Sequence, residues 1–174
     1  MKGLSLFLKE LGEINRFSRI KKEEKQIVFY SEDGSYFTFF EGLIKELTTT
    51  NNLIICYVTS DYQDYIETGK MKNVNSFYIK HFIVFFIPLL SSKLILMTRP
   101  DLQQFHIRRS VQGANHIYLC HNIGSYFHVI RKGGLFYYDT MFCVGPHQIK
   151  ELKKEEELYG IQSRRLVNFG YYRL

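Results

Sequence analysis

The sequence predicts an α/β fold: a Rossmann-like three-layer α/β/α domain with a mainly parallel, doubly wound sheet. Three observations lead there. About six short apolar runs alternate with segments of helical periodicity along the 174 residues. The run Leu53–Val58, LIICYV, is apolar without alternation, as in a parallel strand buried on both faces. The apolar runs at 117–120 and 140–144 each end near a polar or glycine-containing turn. An open α/β sheet gathers such turns beyond its carboxyl ends and builds its binding crevice from them.

Residues 1–24 read as an N-terminal amphipathic helix, with Leu4, Phe7, Leu8, Leu11 and Ile14 on one stripe. Residues 2–25 carry seven Lys/Arg and four Asp/Glu. The stripe either docks on the main domain or lies on an anionic membrane surface. Residues 25–174 form the Rossmann-like domain. A strand at 26–30 leads into the turn Ser31-Glu-Asp-Gly-Ser35. Phe40, Leu43, Ile44 and Leu47 then mark a helix face. Thr59-Ser60-Asp61 closes the next strand and caps a helix. Residues 77–79 read as a short strand, 81–90 as a buried helix and 93–97 as a strand. Pro100 stops that strand, and Asp101 is placed to cap the next segment.

The stretch 116–151 is central. Strand 117–120 precedes His121 and the turn Asn122–Ser125. Strand 140–144 precedes Gly145-Pro146, which opens a helix ending at Gly160. A last strand spans 166–169.

Composition narrows the function classes. Hydrophobic residues make up 45% and charged residues 23%, which is globular rather than disordered. A net charge of +6 favours an anionic partner. Cys56, Cys120 and Cys143 lie far apart within or beside apolar runs, which points to buried free thiols in a reducing compartment. No secretory leader is evident, and the apolar run 82–90 is too short to span a bilayer. The expected location is cytoplasmic, with the inner membrane face as a candidate contact. There is no dinucleotide fingerprint, P-loop, zinc-type motif or nucleic-acid signature, so no cofactor, metal or nucleic acid is expected.

His121 is the first polar side chain after its strand, the place from which a base reaches a crevice. Asn122, Gly124 and Ser125 line the same turn. Ser31, Gly34 and Ser35 offer hydroxyls and N–H groups that either hold an anion or only cap a helix. Pro146 marks a second helix N-terminus. Residues 99–132 hold Arg99, Arg108, Arg109, Arg131 and Lys132 against Asp101 alone. That block is either a solvated face or a phosphate grip led by Arg99.

Five pieces carry a resemblance: TSDYQDY at 59–65, LMTRPDLQ at 96–103, IYLCHNIGS at 117–125, YYDTMFCVGPHQIKE at 137–151 and NFGYYRL at 168–174. In order and spacing they resemble the N-terminal half of bacterial CDP-glycerol glycerophosphotransferases and related transferases of glycosyltransferase-B architecture. The resemblance covers residues 26–174. It implies one half of a two-domain enzyme that makes teichoic-acid-like or surface polysaccharide polymers. His121 would then be the base that activates an acceptor hydroxyl. Family members often carry His-Gly-Thr-Pro where this chain has His121-Asn-Ile-Gly-Ser125. The donor would be held by a C-terminal half, expected as a partner domain. With that half absent, the chain is expected to be inactive and to present aromatic surface at Phe169, Tyr171 and Tyr172 that favours a homo-oligomer. The alternative is a non-catalytic anion- or nucleotide-binding interaction domain.

Overall fold

A computed structural model describes residues 2–171. The Leu4 side chain and Tyr172 lie outside the described residues. Among the described residues seven strands form one sheet: β1 (Ile27–Ser31), β2 (Ile55–Thr59), β3 (Val74–Tyr78), β4 (Leu94–Met97), β5 (Asn115–Leu119), β6 (Thr140–Cys143) and β7 (Arg165–Asn168). Their spatial order is β3-β2-β1-β4-β5-β6-β7, and every pairing is parallel. The expected α/β/α domain is therefore the observed one, with one strand more than the count of about six. The strand at 77–79 proves to be a full five-residue strand, masked in the sequence by its polar Asn75 and Ser76.

Among the described residues six α-helices accompany the sheet: α1 (Lys2–Arg19), α2 (Phe37–Lys45), α3 (Tyr62–Thr68), α4 (Ile83–Leu89), α5 (Tyr126–Val129) and α6 (Pro146–Tyr159). Strand residues alternate between two cores, as the pleat requires. Val28, Tyr30, Cys56, Val58, Ile95, Met97 and Met141 pack with Phe17 of α1, Phe86 and Ile87 of α4, and Leu152 of α6. Phe29, Tyr57, Leu96 and Leu119 pack with Phe40 and Ile44 of α2 on the opposite face. Asp61 caps α3 by accepting from the Gln63 N–H at 2.8 Å. Gly160 closes α6 in the left-handed region at φ 61°, where the missing Cβ removes the usual strain. Asp101 caps no helix: it stands at φ 67° in the loop after β4 and accepts from Arg131 at 2.6 Å. All three cysteines are free and buried. Burial pushes the Cys56 thiol up to about 12 and that of Cys143 up to about 11.

Most of the N-terminal stripe is turned outward, although Ile14 packs half-buried against the core. Phe7, Leu8 and Leu11 are exposed, while Glu10 and Glu13 are buried. The carboxylate of Glu10 accepts from the backbone N–H groups of Lys80 (2.8 Å) and Phe82 (2.6 Å), and Glu13 accepts from the Tyr65 hydroxyl at 3.0 Å. α1 docks through buried, satisfied carboxylates, Phe17 and Ile14, so Phe7, Leu8 and Leu11 are left facing out.

The strand-end histidines separate cleanly. His116 sits at the start of β5, fully buried. Its Nε2 accepts from the Ser110 N–H at 3.2 Å, which leaves Nδ1 to donate to the Ala114 carbonyl at 3.1 Å. Burial first, and Arg109 second, hold it neutral by lowering its pKa to about 4, against the opposing charge of Asp139. An unfolded chain takes up that proton near pH 6.5 and the folded chain does not. Stability from this group is complete above pH 6.5 and is lost as pH falls toward 4, by on the order of 3 kcal/mol. Urea titrations at pH 7.5 and 4.5 are expected to show a smaller acid loss for His116→Gln than for the wild type. Equal losses would contradict the assignment.

Candidate functional site: a crevice at the carboxyl ends of β1, β4 and β5

Strand order reverses between β1 and β4, so the loops after these two strands part and leave a crevice. The cavity there measures about 210 Å³. The β1 loop supplies Glu32 and Tyr36, and the β4 loop supplies Thr98 and Pro100. The segment after β5 supplies His121 and Asn122, with Tyr118 and Tyr126 at the back. The expected base thus stands at a carboxyl end and beside the switch point.

His121 is half-buried in an aromatic enclosure. Its ring centroid lies 5.5 Å from that of Tyr36, 5.3 Å from Phe39 and 6.3 Å from Tyr118. Burial lowers its pKa, and the Leu119 carbonyl beside it opposes the shift. No hydrogen bond closes between them: Nδ1 is buried and has no partner among the described residues. A neutral imidazole whose pKa is depressed stays deprotonated at neutral pH, as a base must.

The turn after His121 is held from α6. The Asn122 Oδ1 accepts from the Gly124 N–H at 2.8 Å, fixing a tight Asx turn. The buried Gln148 amide donates to the carbonyls of Asn122 (2.7 Å) and Gly124 (3.2 Å). Its Oε1 accepts from the Val144 N–H (2.9 Å) and the Tyr126 hydroxyl (3.0 Å). The Glu151 carboxylate accepts from the Tyr126 N–H at 2.9 Å. Sequence reading missed Gln148, Tyr36 and Phe39. The signal for Gln148 was present: it shares a helical stripe with Leu152, and an amide on an apolar stripe needs a buried partner. Ser125 precedes α5 without a side-chain cap bond, and Pro146 is exposed at the first turn of α6.

The anion cradle weighed as one role for Ser31, Gly34 and Ser35 is not formed. The Ser31 hydroxyl donates to the Asp33 carbonyl at 2.7 Å. The N–H of Gly34 donates to Asp61 at 3.2 Å, and that of Ser35 to Asp33 at 2.9 Å. The donors are taken, and two carboxylates stand where an anion would sit. These residues cap the turn, the second of the two roles weighed for them.

The basic block does not act as one grip either. Arg99 pairs with Glu32 across the switch point, bridging the β1 and β4 loops. Arg131 pairs with Asp101 and lies over the Phe105 ring. Arg109 binds both oxygens of Asp139 at 2.9 Å, beside the amino end of β6. Neighbours in sequence thus fall at opposite ends of the sheet. Arg99 alone of the three pairs with a residue that lines the crevice.

Phe169 and Tyr171 are half-buried, and Phe169 stacks on Phe142 at 4.9 Å, so that region is less open than expected. No helix among the described residues is long and apolar enough to cross a membrane.

Fold and site together define an all-parallel α/β domain with an aromatic-walled histidine crevice at its switch point. Comparison with protein-family models, with curated proteins and with solved structures returned no match.

Proposed function

We propose that this domain is the acceptor-side half of a glycerophosphotransferase or glycosyltransferase that builds teichoic-acid-like or surface polysaccharide polymers. One observation carries the reading: His121, held neutral by burial, faces the switch-point crevice. The motif resemblance supplies the reaction class. In it, His121 takes the proton of an acceptor hydroxyl. The oxygen forms a bond to the donor's phosphorus or anomeric carbon, and the bond to the nucleotide leaving group breaks. Asn122 and Arg99 position the acceptor, and the tyrosines exclude water from the imidazole. A donor-binding partner domain closes the site from above. The domain works in the cytoplasm at the inner face of the membrane, where the polymer acceptor is presented. Pairing of Arg109 and Arg131 with carboxylates away from the crevice lining disfavours the alternative of a simple anion-binding module.

The test is turnover of CDP-glycerol or a nucleotide sugar by the chain alone and with a donor-binding half added in trans. No product from the chain alone and product from the mixture is the expected pattern. Turnover by the isolated chain, or none with any donor half, would overturn the reading.

A further inference from the structure

We infer that the apolar surface formed by α1 and α4 is a membrane-docking face that takes up the acyl region of a bilayer carrying anionic lipid. The inference rests on the peripheral-membrane reading above and names its surface and lipid chemistry. α1 turns Phe7 (37% exposed), Leu8 (60%) and Leu11 (42%) to solvent. Opposite them α4 exposes Phe85 (67%) and Leu89 (70%). The Phe7 and Phe82 rings meet at 5.2 Å. Between the two helices runs a groove of about 530 Å³, walled by Leu11, Ile14, Phe82, Phe85 and Leu89. Scattered exposed apolar residues are ordinary, but this set is contiguous across two elements.

The outward orientation is built in. Glu10 is fully buried because its carboxylate satisfies two backbone N–H groups just before α4. Rotating α1 to hide its leucines would expose those donors and strand the carboxylate. The segment that leads from α1 past the groove is cationic. Lys25 lines the groove, and Arg19, Lys21 and Lys22 are exposed in the segment leading to it. Lys93 is exposed nearby, its N–H bonded to the Gln26 carbonyl at 2.9 Å. Glu23 and Glu24 offset only part of that charge. Apolar groups flanked by ammonium and guanidinium groups match acyl chains beneath anionic headgroups. A second copy fits poorly: a two-fold contact would bring the same cations against themselves.

The experiment is flotation of the full chain with vesicles of phosphatidylcholine alone or mixed with phosphatidylglycerol. The wild type is expected to float with the mixed vesicles and weakly with the neutral ones. Phe85→Ser combined with Leu89→Ser is expected to reduce partitioning by about a hundredfold. Lys21→Glu combined with Lys22→Glu is expected to reduce it by about tenfold, on mixed vesicles alone. All four sites are exposed, and thermal melts of both variants check that the fold is kept. If the wild type floats with no vesicle, the peripheral reading fails and this inference with it. If both variants float like the wild type, the peripheral reading stands and this face is not the contact. A dimer in light scattering that Phe85→Ser with Leu89→Ser abolishes, without vesicle binding, would assign the face to a second copy and overturn the inference.

Discussion

Arg164→Ala is expected to lose about 3–5 kcal/mol of stability. The guanidinium of Arg164 is only 2% exposed. It binds Glu155 and Glu156 at 2.9 Å each, and it donates to the carbonyls of Leu135 and Leu152 at 3.2 Å. It thereby joins α6, the start of β7 and the loop before β6. Truncation strands the largely buried Glu155 carboxylate, while Glu156 keeps the Arg164 backbone N–H (3.1 Å) and the Ser163 hydroxyl (3.3 Å), and unpaired buried charge is the costly case. Urea unfolding measures it through the shift of the midpoint. A variant that also carries Glu155→Leu is expected to recover part of the loss, because the stranded charge is removed. A loss under about 1 kcal/mol for Arg164→Ala would show that water reaches the site and that the pairing contributes as little as a surface bridge does.

Nothing local in the sequence announces that role. Arg164 reads as one cation in a polar Gln-Ser-Arg-Arg stretch, and its partners are set by the packing of α6. The strands were legible for the opposite reason. A parallel strand is buried on both faces, so β2 and β4 appear as continuous apolar runs whatever their neighbours. Caps at Asp61 and Gly160 were legible because their chemistry is local. The orientation of α1 was not: the N–H groups that satisfy Glu10 lie some seventy positions further on, at Lys80 and Phe82. A buried glutamate on a helix looks in sequence like a solvated face. The basic block misled in a similar way, because adjacency along the chain says nothing about which end of a sheet a residue reaches. Arg99 follows the carboxyl end of β4, whereas Arg109 pairs beside the amino end of β6. His121 was legible from its place after an apolar strand. Its enclosure was not, since Tyr36 and Phe39 arrive from the far side of the switch point.

That enclosure sets the terms of the second large effect. If the proposed function holds, His121→Ala in the assembled two-half transferase is expected to lower turnover about a hundredfold or more. The loss should fall on kcat, with KM for the acceptor little changed, because the imidazole moves a proton and does not anchor the substrate. Burial lowers the pKa of His121, so the imidazole stays deprotonated to lower pH than a free histidine. The acid limb of kcat/KM is therefore expected to inflect below the ordinary imidazole value near 6.5, and that limb should vanish in His121→Ala. Tyr36→Leu separates the base from its surroundings. Loss of one aromatic wall admits water, weakens the burial that depresses the pKa and moves the acid inflection up toward the ordinary value, while the base itself remains. The fold should tolerate both changes, since each side chain is only half-buried. Three outcomes would assign His121 to packing instead of proton transfer: turnover near the wild-type level in His121→Ala, an acid limb that survives the substitution, or a thermal midpoint that collapses along with the activity.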